Sequence, residues 1–398
     1  MGFQSVRDLP VSGKRVFLRA DLNVPLQDGA VGDATRIEST LPTLDFLLKG
    51  GASVVLASHL GRPADTGYEA AFSMQPVAAW LKAKGYGLTL APGVTGDAVE
   101  AAAKALQPGQ VLLLENLRFD KGETKNTPDF AEALAKLADA YVDDAFGAAH
   151  RAHASVSGMV SHFPKAAVAA GFLMERELNA LGRVLHNPEK PLVVIFGGAK
   201  VSDKIELIQA FLGKAQSILI GGAMSFTFLK ALGVPIGTSL FEADKTDLAL
   251  SLLKEAEAKG TKLMLPADHL AAEKFQADSP CLVTEGQAIP EGHMGLDIGP
   301  ETVALYAEEI RGAKTLLWNG PMGVSEMPTF ASGTLSMAEE LAKAADGGAF
   351  VLVGGGDSVA AVNQAGVASH MSHVSTGGGA SLEYLSGLTL PGVAALER

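Results

Sequence analysis

Short runs of apolar, mostly β-branched or leucine-rich residues recur along the chain, and most of them are separated by segments with helical spacing. The eight runs cover residues 15–19, 53–57, 111–114, 192–196, 217–220, 262–265, 315–318 and 350–353. Continuous apolar strands that alternate with helices are typical of parallel sheets covered by helices on both faces. The pattern therefore predicts an α/β protein with doubly wound sheets.

Helix boundaries are also marked in the sequence. A threonine followed by a proline predicts a helix over residues 127–139, and a serine predicts a helix over 73–85 that a glycine ends. A helical pattern over 172–185 leads into a connector with two prolines, residues 186–191. Such a connector is typical of a domain boundary, so we place the domain junction there.

Length and composition support a two-domain globular protein. The 398 residues exceed the roughly 250–300 residues that one hydrophobic core organises. The chain is 47% hydrophobic and 19% charged, which is typical of a soluble protein with a sizeable core. Its net charge of −12 disfavours a general nucleic-acid or membrane-surface binder.

The sequence also favours a reducing compartment. Cys281 is the only cysteine, so the chain can form neither an intrachain disulfide nor a cluster of thiolates around a metal. The first residues lack the layout of a signal peptide, and no apolar stretch reaches bilayer length. We therefore expect a cytoplasmic protein.

Arginines are concentrated in the first half of the chain, where nine of the eleven lie at or before Arg183. Four of them, Arg36, Arg62, Arg118 and Arg151, follow or flank an apolar run. A single arginine after a strand is more often part of a surface ion pair. Four at corresponding strand ends indicate a site for a small anion, because guanidinium forks match carboxylate and phosphate oxygens.

Other polar residues accompany these arginines. Asp21 and Asn23 follow the first strand and are able to hydrogen-bond a substrate hydroxyl. His59, His150 and His153 follow other strands, but their spacing matches no recognised zinc ligand set. We interpret these histidines as hydrogen-bond donors to a substrate.

A glycine turn in the second half predicts a phosphate site. The turn at 197–198 follows the strand 192–196, and a helix is expected over 202–212. Lys200 and Lys204 would both reach an anion bound there. The turn is neither a Walker A loop nor a G-x-G-x-x-G turn, and an ordinary βα turn with two surface lysines would have the same pattern.

A second turn repeats the design. The triple glycine at 354–356 is followed by Asp357, placed to meet Mg²⁺, and by Ser358, placed near phosphate. Asp357 also fits as a carboxylate that the helix dipole stabilises. Glycines at 221–222 and 320–323 follow further strands, and close packing explains each of them taken singly. Two such turns in one half favour a nucleotide site.

These segments, in this order, resemble the phosphoglycerate kinase family over nearly the whole chain. The matching motifs are RADLNVP at 19–25, SHLGRP at 58–63, ENLRF at 115–119, AHRAH at 149–153, GGAKVSDK at 197–204, LDIGP at 296–300, WNGPMGV at 318–324, GGGDS at 354–358 and STGGGASLE at 375–383. The chain departs from the family pattern at Ala223, where a third glycine is common, and at Ser325, where phenylalanine is usual.

The resemblance implies two doubly wound, Rossmann-like parallel-sheet domains joined by a hinge helix. They would be a 3-phosphoglycerate domain over 1–171, a hinge over 172–191 and a nucleotide domain over 192–374, with a tail over 375–398 that returns to the first domain. It also implies a glycolytic kinase that acts as a cytoplasmic, hinge-bending monomer. That enzyme transfers a phosphoryl group directly between 1,3-bisphosphoglycerate and MgADP, giving 3-phosphoglycerate and MgATP, with a carboxyl group as acceptor.

The same resemblance implies roles for individual residues. Substrate would be held by Asp21, Asn23, Arg36, His59, Arg62, Arg118 and Arg151. Nucleotide would be held by Lys200, Lys204, Gly221, Gly222, Gly295, Asn319, Pro321, Glu326, Gly355, Gly356, Asp357, Ser358 and Thr376. Catalysis would fall to Arg36, Lys200, Gly356 and Gly379, and Asp357 would bind Mg²⁺.

Three other functions are alternatives to this one. A nucleotide-linked dehydrogenase needs a G-x-G-x-x-G turn with an acidic residue about 20 positions later, and neither is present. A catalytically silent nucleotide-binding protein would lack Lys200 or the arginines, and all are present. Another ATP-dependent carboxylate kinase, of the acetate kinase type, would share the logic of the acceptor site and stays the alternative.

Overall fold

The chain folds into two units, each built around a six-stranded parallel sheet. The computed structural model describes residues 2–64 and 67–397. The first unit comprises the chain up to Asn179 together with the segment from Thr389 onward, and the second comprises Ala180–Leu388. The predicted α/β architecture with two doubly wound sheets is confirmed.

The strands and helices alternate along most of the chain. The strands are β1 (Arg15–Ala20), β2 (Leu26–Gln27), β3 (Ala30–Val31), β4 (Ser53–Ala57), β5 (Leu88–Leu90), β6 (Val111–Leu113), β7 (Ala140–Asp144), β8 (Val168–Ala170), β9 (Leu192–Phe196), β10 (Ser217–Ile220), β11 (Lys262–Met264), β12 (His269–Ala272), β13 (Cys281–Val283), β14 (Met294–Ile298), β15 (Thr315–Asn319), β16 (Phe350–Gly354) and β17 (His373–Val374). The helices are α1 (Thr35–Lys49), α2 (Gln75–Ala83), α3 (Asp97–Ala105), α4 (Lys121–Lys125), α5 (Pro128–Ala135), α6 (Phe172–His186), α7 (Ile205–Phe211), α8 (Met224–Ala231), α9 (Thr246–Ala258), α10 (Pro300–Gly312), α11 (Ser332–Asp346), α12 (Gly356–Gln364), α13 (Gly379–Leu385) and α14 (Pro391–Glu397).

The sheet of the first unit has the order β5-β6-β4-β1-β7-β8, with neighbouring strands parallel. Every residue of β4 is buried, and α1 covers the sheet with the buried side chains of Ile37, Leu44 and Leu47, which share one helix face. From β1 the chain moves to β4 on one side and later to β7 on the other. The order therefore reverses beside β1, and ligands of such sheets bind at the carboxyl ends of the strands near a reversal.

The sheet of the second unit has the order β11-β10-β9-β15-β16-β17. Counted along the chain, this is the 3-2-1-4-5-6 order of nucleotide-binding Rossmann folds. A smaller antiparallel sheet, β13-β12-β14, belongs to the same unit and was not predicted. Its strands lack the continuous apolar run that marks a buried parallel strand, and β13 is exposed along its whole length.

All eight predicted strands are present, and each of their ends agrees to within one residue. The helix expected over 202–212 begins later, at Ile205. Ser202 does not cap it, because the carboxylate of Glu242 accepts hydrogen bonds from both the backbone N and the Oγ of Ser202, at 3.0 and 2.5 Å. That part of the prediction was wrong because a contact from a distant segment holds the turn.

The C-terminal segment divides differently from the expected tail. Residues 375–388 belong to the second unit, in which α13 packs against α7. From Thr389 onward the chain belongs to the first unit, where the backbone N of Gly392 donates to the carbonyl of Ala149 at 2.9 Å. An added Cβ at Gly392 would lie 2.8 Å from Val156, so this close approach requires glycine.

The last residue of β7 caps the helix that follows β8. Asp144 Oδ1 accepts hydrogen bonds from the backbone N of Leu173 at 2.7 Å and of Met174 at 3.2 Å, both in the first turn of α6. Gly171 leaves room for this carboxylate, since an added Cβ there would lie 2.3 Å from Asp144 Oδ1. Burial raises the pKa of Asp144 to about 7, so the folded state holds its proton more tightly than the unfolded chain does.

We predict that Asp144→Asn reduces the pH dependence of stability. Because the pKa is raised on folding, the free energy of unfolding of the wild type should fall as pH rises from about 4 to about 7. The asparagine keeps the acceptor oxygen and does not titrate. The free energy of unfolding of Asp144→Asn should therefore fall less between pH 5 and pH 8 than that of the wild type. Urea unfolding followed by Trp80 fluorescence, in a Trp318→Phe background, measures this for the first unit.

Asp139→Asn is the matched control. Asp139 precedes the same strand, is exposed and pairs with Arg15 at 3.2 Å. Its variant should keep the wild-type pH dependence, because surface ion pairs contribute little. Identical pH profiles for wild type and Asp144→Asn would contradict the predicted protonation of Asp144.

Candidate active site

Arg118 is held in place by the loops that follow β4 and β6. Asn116 joins the two loops, because its Nδ2 donates to the Leu60 carbonyl at 2.6 Å and its Oδ1 accepts from Arg118 N at 3.1 Å. Arg118 Nη1 donates to the Gly61 carbonyl at 2.8 Å. Gly61 has a φ of +63°, and an added Cβ would lie 2.5 Å from the Phe72 ring. The guanidinium is therefore positioned before any ligand binds.

The predicted arginines come together at the carboxyl edge of the first sheet. Burial is the largest cause that lowers the pKa of Arg118, and neighbouring guanidinium groups lower it further. Burial and then nearby positive groups lower the pKa of His59 well below its usual 6.5. The guanidinium groups that lower the pKa of His59, of Arg118 or of both belong to Arg19, Arg36, Arg62, Arg118 and Arg151. An anion would relieve this crowding of positive charge, so the arrangement favours an anionic ligand.

The two short polar residues after β1 hold the framework of this cluster. Asp21 is buried, and its Oδ2 pairs with Arg36 Nη1 at 2.9 Å at the start of α1. Asn23 Oδ1 accepts a hydrogen bond from the backbone N of Gly61 at 2.8 Å. Asp21 therefore orients Arg36, and Asn23 ties the loop after β1 to the loop that carries Arg62.

Arg19 was not predicted as a site residue, although it lies in the RADLNVP motif. It is fully buried in β1, and its Nε donates to Ser155 Oγ at 2.8 Å. Its Nη2 donates to His59 Nδ1 at 3.4 Å, which leaves His59 Nε2 as the donor of the neutral ring. Ser155 Oγ in turn donates to the buried carboxylate of Glu123 at 2.6 Å. The signal in the sequence is an arginine that directly follows the apolar residues of a strand, and it could have identified Arg19.

A cleft of about 490 Å³ lies at the carboxyl edge of the second sheet. Its wall combines the loops after β9, β10 and β15 with the small antiparallel sheet. The predicted nucleotide residues that line it are Gly222, Gly295, Pro321, Glu326 and Asp357. Of the two residues that depart from the family pattern, Ala223 lines the cleft and Ser325 does not.

Two of the predicted glycines allow the loops around the cleft to pack closely. Gly222 has a φ of +66°, and an added Cβ would lie 2.6 Å from the backbone of Gly198. At Gly221 an added Cβ would lie 2.5 Å from Met322 Sδ. Gly222 borders the cleft, whereas Gly221 supports the packing behind it.

Lys204 and Asn319 form a polar pair beside the cleft. Lys204 Nζ donates to Asn319 Oδ1, while Asn319 Nδ2 is buried and has no hydrogen-bond partner among the residues that the structure describes. Burial lowers the pKa of Lys204, and the carboxylates of Asp203 and Asp357 oppose that shift. Lys204 and Asp357 are thus within electrostatic reach of each other, as a phosphate site requires.

The turn after β16 is tied to the turn after β15. Ser358 Oγ accepts a hydrogen bond from the backbone N of Gly320 at 2.6 Å. Gly355 has a φ of +89°, and an added Cβ would lie 2.9 Å from Asn319 Nδ2. Gly356 begins α12, and Asp357 is exposed in its first turn.

The remaining predicted residues do not line the cleft. Lys200 is exposed in the turn that follows Gly198. Thr376 is half-buried in the loop after β17, and Gly379 is the exposed first residue of α13.

Comparison with known proteins identifies the family. The family model described as phosphoglycerate kinase matches residues 6–388. The chain belongs to the phosphoglycerate kinase family. Phosphoglycerate kinase of Koribacter versatilis is 52% identical over 98% of either chain, and the cytosolic phosphoglycerate kinase of Triticum aestivum is 52% identical over 97% of this chain and 96% of its own. The solved phosphoglycerate kinase of Coxiella burnetii is 40% identical, with a TM-score of 0.91 over 99% of this chain and 98% of its own.

Membership of the phosphoglycerate kinase family confirms the predicted fold class, the kinase activity class and the use of MgATP and MgADP. Within residues 2–64 and 67–397, no helix is long and apolar enough to cross a membrane. The residue roles that the family likeness implied stay predictions.

Asp357 fits the Mg²⁺ that accompanies the nucleotide of a phosphoglycerate kinase. Among the described residues, no group of three or more histidine, cysteine, aspartate or glutamate side chains is placed to hold a metal ion. Mg²⁺ that travels with nucleotide phosphates needs only one or two protein carboxylates and keeps several waters. The exposed carboxylate of Asp357 on the wall of the cleft meets this requirement.

The small sheet contributes residues that the sequence did not indicate. Asp297 lines the cleft, and its Oδ2 accepts from the backbone N of Gly333 at 2.7 Å in the first turn of α11. Burial raises the pKa of Asp297 to about 7. An added Cβ at Gly323 or Gly333 would lie within 2.4 Å of its Oδ1, so Asp297 sits between two segments packed on it. Asp297 lies in the LDIGP motif, which was the available signal.

We predict that Ser155→Ala destabilises the first unit. The change removes one hydrogen bond each from the buried charges of Arg19 and Glu123, so the free energy of unfolding should fall by about 3 kcal/mol. Urea unfolding followed by Trp80 fluorescence, with Trp318 replaced by Phe, measures the loss.

Ser161→Ala serves as the control, because the Oγ of this exposed serine donates to the Gly158 carbonyl at 2.9 Å and contacts no buried charge among the described residues. Its cost should stay within about 0.5 kcal/mol. Equal stability of the two alanine variants would show that Ser155 does not support the buried charges.

Proposed function

We propose that this chain catalyses the reversible, direct in-line transfer of a phosphoryl group between 1,3-bisphosphoglycerate and MgADP, giving 3-phosphoglycerate and MgATP in glycolysis. The observation that carries the proposal is the convergence of five guanidinium groups on one sheet edge in a member of this family. Such a cluster suits a small ligand that bears both a phosphate and a carboxylate.

Within that ligand the arginines would have different tasks. The guanidinium of Arg118 donates to the Gly61 carbonyl, and its backbone N donates to Asn116 Oδ1. A side chain held in this way is suited to a fixed contact with the phosphate ester. Arg36, oriented by the buried Asp21, is suited to the carboxyl end, where the phosphoryl group is exchanged. Arg62 and Arg151 are exposed and complete the positive surface.

The reaction needs no catalytic base. A carboxylate acceptor is already ionised at neutral pH, so positioning and neutralisation of charge are sufficient. Lys200, Arg36 and the backbone N–H groups at the starts of α12 and α13, Gly356 and Gly379, would stabilise the phosphoryl group in transit. When bound with the nucleotide, Mg²⁺ neutralises phosphate charge, and Asp357 would hold it.

The nucleotide would bind in the cleft of the second unit. Gly222, Gly295 and Pro321 would contact the nucleoside, and Lys204 with Asp357 would lie toward its phosphates. The assignments of Lys200, Asn319, Gly355, Ser358 and Thr376 follow from the family likeness.

Catalysis would also require motion at the junction. The two sites belong to different units, and reacting atoms must come within ~3–3.5 Å of each other. We assign the hinge to residues 172–191, between an acceptor domain over 1–171 and a nucleotide domain over 192–374. Closing would exclude water, which otherwise hydrolyses an acyl phosphate. We place this enzyme in the cytoplasm as a monomer. The relative from Triticum aestivum is named cytosolic.

A coupled assay with MgATP and 3-phosphoglycerate tests the function, and Lys200→Ala tests the mechanism. The wild type should turn over, and Lys200→Ala should lower kcat at least ~100-fold while the Kd for MgATP stays within about 3-fold, because the lysine acts mainly on the transferring group. Lys214→Ala, which removes another exposed lysine of the same unit, should behave as wild type.

Two results would contradict the proposal. Comparable turnover with acetate in place of 3-phosphoglycerate would instead favour another carboxylate kinase. Weaker MgATP binding with unchanged kcat in Lys200→Ala would show that Lys200 does not act in the transfer step.

We predict that Arg118→Ala raises the KM for 3-phosphoglycerate at least ~10-fold with a smaller change in kcat, because a remote phosphate contact stabilises ground and transition states alike. Initial rates at saturating MgATP measure both constants. Arg7→Ala, which breaks a surface ion pair with Glu175, should leave the KM unchanged. A wild-type KM in Arg118→Ala would show that the phosphate anchor lies elsewhere.

A further inference from the structure

The segment 320–324, which follows β15, joins separate turns at the carboxyl edge of the second sheet. The Pro321 carbonyl accepts a hydrogen bond from the backbone N of Gly198 at 3.0 Å, in the turn after β9. The Met322 carbonyl accepts a hydrogen bond from the backbone N of Gly222 at 2.8 Å, in the turn after β10. The backbone of this segment therefore helps to set the position of both glycine turns.

Two further elements are bonded to the same segment. At its start, the backbone N of Gly320 donates to Ser358 Oγ at 2.6 Å, in the first turn of α12. At its end, the backbone N of Val324 donates to the Leu296 carbonyl at 2.8 Å, in β14 of the small sheet. A displacement of the segment would therefore disturb the turns after β9, β10 and β16 and one strand of the small sheet.

A buried threonine behind the cleft holds this segment. Thr334 is fully buried and is the third residue of α11. Its Oγ1 accepts hydrogen bonds from the backbone N of Met322 at 3.0 Å and from that of Gly323 at 3.3 Å. Thr334 itself does not line the cleft. A buried N–H group without an acceptor is strongly disfavoured, so these two bonds fix the centre of the segment.

The first turn of α11 is itself attached to the small sheet. Asp297 Oδ2, in β14, accepts hydrogen bonds from the backbone N of Gly333 at 2.7 Å and from Ser332 Oγ at 3.4 Å. An added Cβ at Gly333 would lie 2.4 Å from Asp297 Oδ1, so the helix end and the strand are in close contact. Thr334 therefore presents its hydroxyl from a helix end that is held in place.

We propose that Thr334 is a positioning residue for phosphoryl transfer, because it fixes the segment 320–324 and through it the turn that leads to Lys200. The inference rests on the proposed function, in which Lys200 acts on the transferring group. A misplacement of about 1 Å in a catalytic site can lower the rate ~100-fold, even when its cause lies away from the reacting atoms. Thr334 can therefore affect kcat without touching either substrate.

Thr334→Val tests this role in the coupled assay. Valine has nearly the shape of threonine but offers no acceptor, so the backbone N–H groups of Met322 and Gly323 lose their partner. We expect kcat to fall at least ~10-fold, because the turn that leads to Lys200 shifts. The Kd for MgATP should rise, because Gly222 on the cleft wall shifts as well. Thr334→Ser keeps the hydroxyl and should retain kcat to within about 3-fold of the wild type.

Thr302→Val is the matched control. Thr302 is the fully buried third residue of α10, and its Oγ1 accepts from the backbone N of Ala267 at 2.9 Å and of Asp268 at 3.1 Å. The control therefore removes the same kind of bonds in the same unit, although neither Ala267 nor Asp268 lines the cleft. Thr302 Oγ1 is also bonded to Asp268 Oδ1 at 2.7 Å, so the Tm of the control should fall at least as far as that of Thr334→Val. Its kcat should stay at the wild-type value at a temperature where both variants are folded.

Amide hydrogen exchange of the ligand-free wild type supplies a test without any variant. If Thr334 holds the segment before a ligand binds, the N–H groups of Met322 and Gly323 should exchange at least ~100-fold more slowly than unprotected amides. Exchange at the unprotected rate would overturn the proposal, even if Thr334→Val failed to fold. Wild-type kcat in Thr334→Val, or an equal loss of kcat in Thr302→Val, would overturn it as well.

The same measurements separate this inference from the proposed function. A chain that phosphorylates 3-phosphoglycerate, and whose Thr334→Val variant keeps the wild-type kcat and Kd, retains the function and loses the role of Thr334. A wild-type chain without turnover contradicts the proposed function. In that case slow exchange at Met322 and Gly323, together with weaker MgATP binding by Thr334→Val, would still support the position that Thr334 gives to the segment.

Discussion

The parallel direction of the strands is the constraint on which both sites depend. Because β1, β4, β6 and β7 run the same way, loops that are far apart in the chain end at one edge of the first sheet. Four arginines that are each unremarkable in sequence thereby become one positive cluster. The same geometry gathers the glycine turns of the second sheet around one cleft. An antiparallel arrangement would send successive loops to opposite edges.

Buried hydrogen bonds and an ion pair hold the positive groups at the carboxyl edge of the first sheet in place without a ligand. Arg19 is fully buried and is bonded to Ser155, which is bonded to the buried Glu123. Asp21 orients Arg36 in the same way. Such groups repel one another before an anion arrives, yet they lose little freedom when it binds, so binding is favoured on both counts.

The cleft of the second unit achieves its shape by close contact between backbones. Gly222 packs against Gly198, and a side chain at Gly222 would separate the loops, because an added Cβ there would lie 2.6 Å from the Gly198 backbone. The small antiparallel sheet then closes one side of the cleft, where His269 of β12 packs against Phe226 of α8. Most of the wall is apolar, as is usual for a site that binds a small molecule.

From the residues alone one obtains the α/β class, eight of the twelve strands in the two six-stranded sheets, the α6 helix and the family, because each depends on local pattern or on ordered motifs. The residue pattern did not reveal the small sheet, the later start of α7 at Ile205, or the division of the tail at Thr389. These depend on contacts between distant segments, such as Glu242 with Ser202 and Gly392 with Ala149. The structural importance of Arg19 and Asp297 also emerges only after folding, since burial and hydrogen-bond partners are properties of the packed chain.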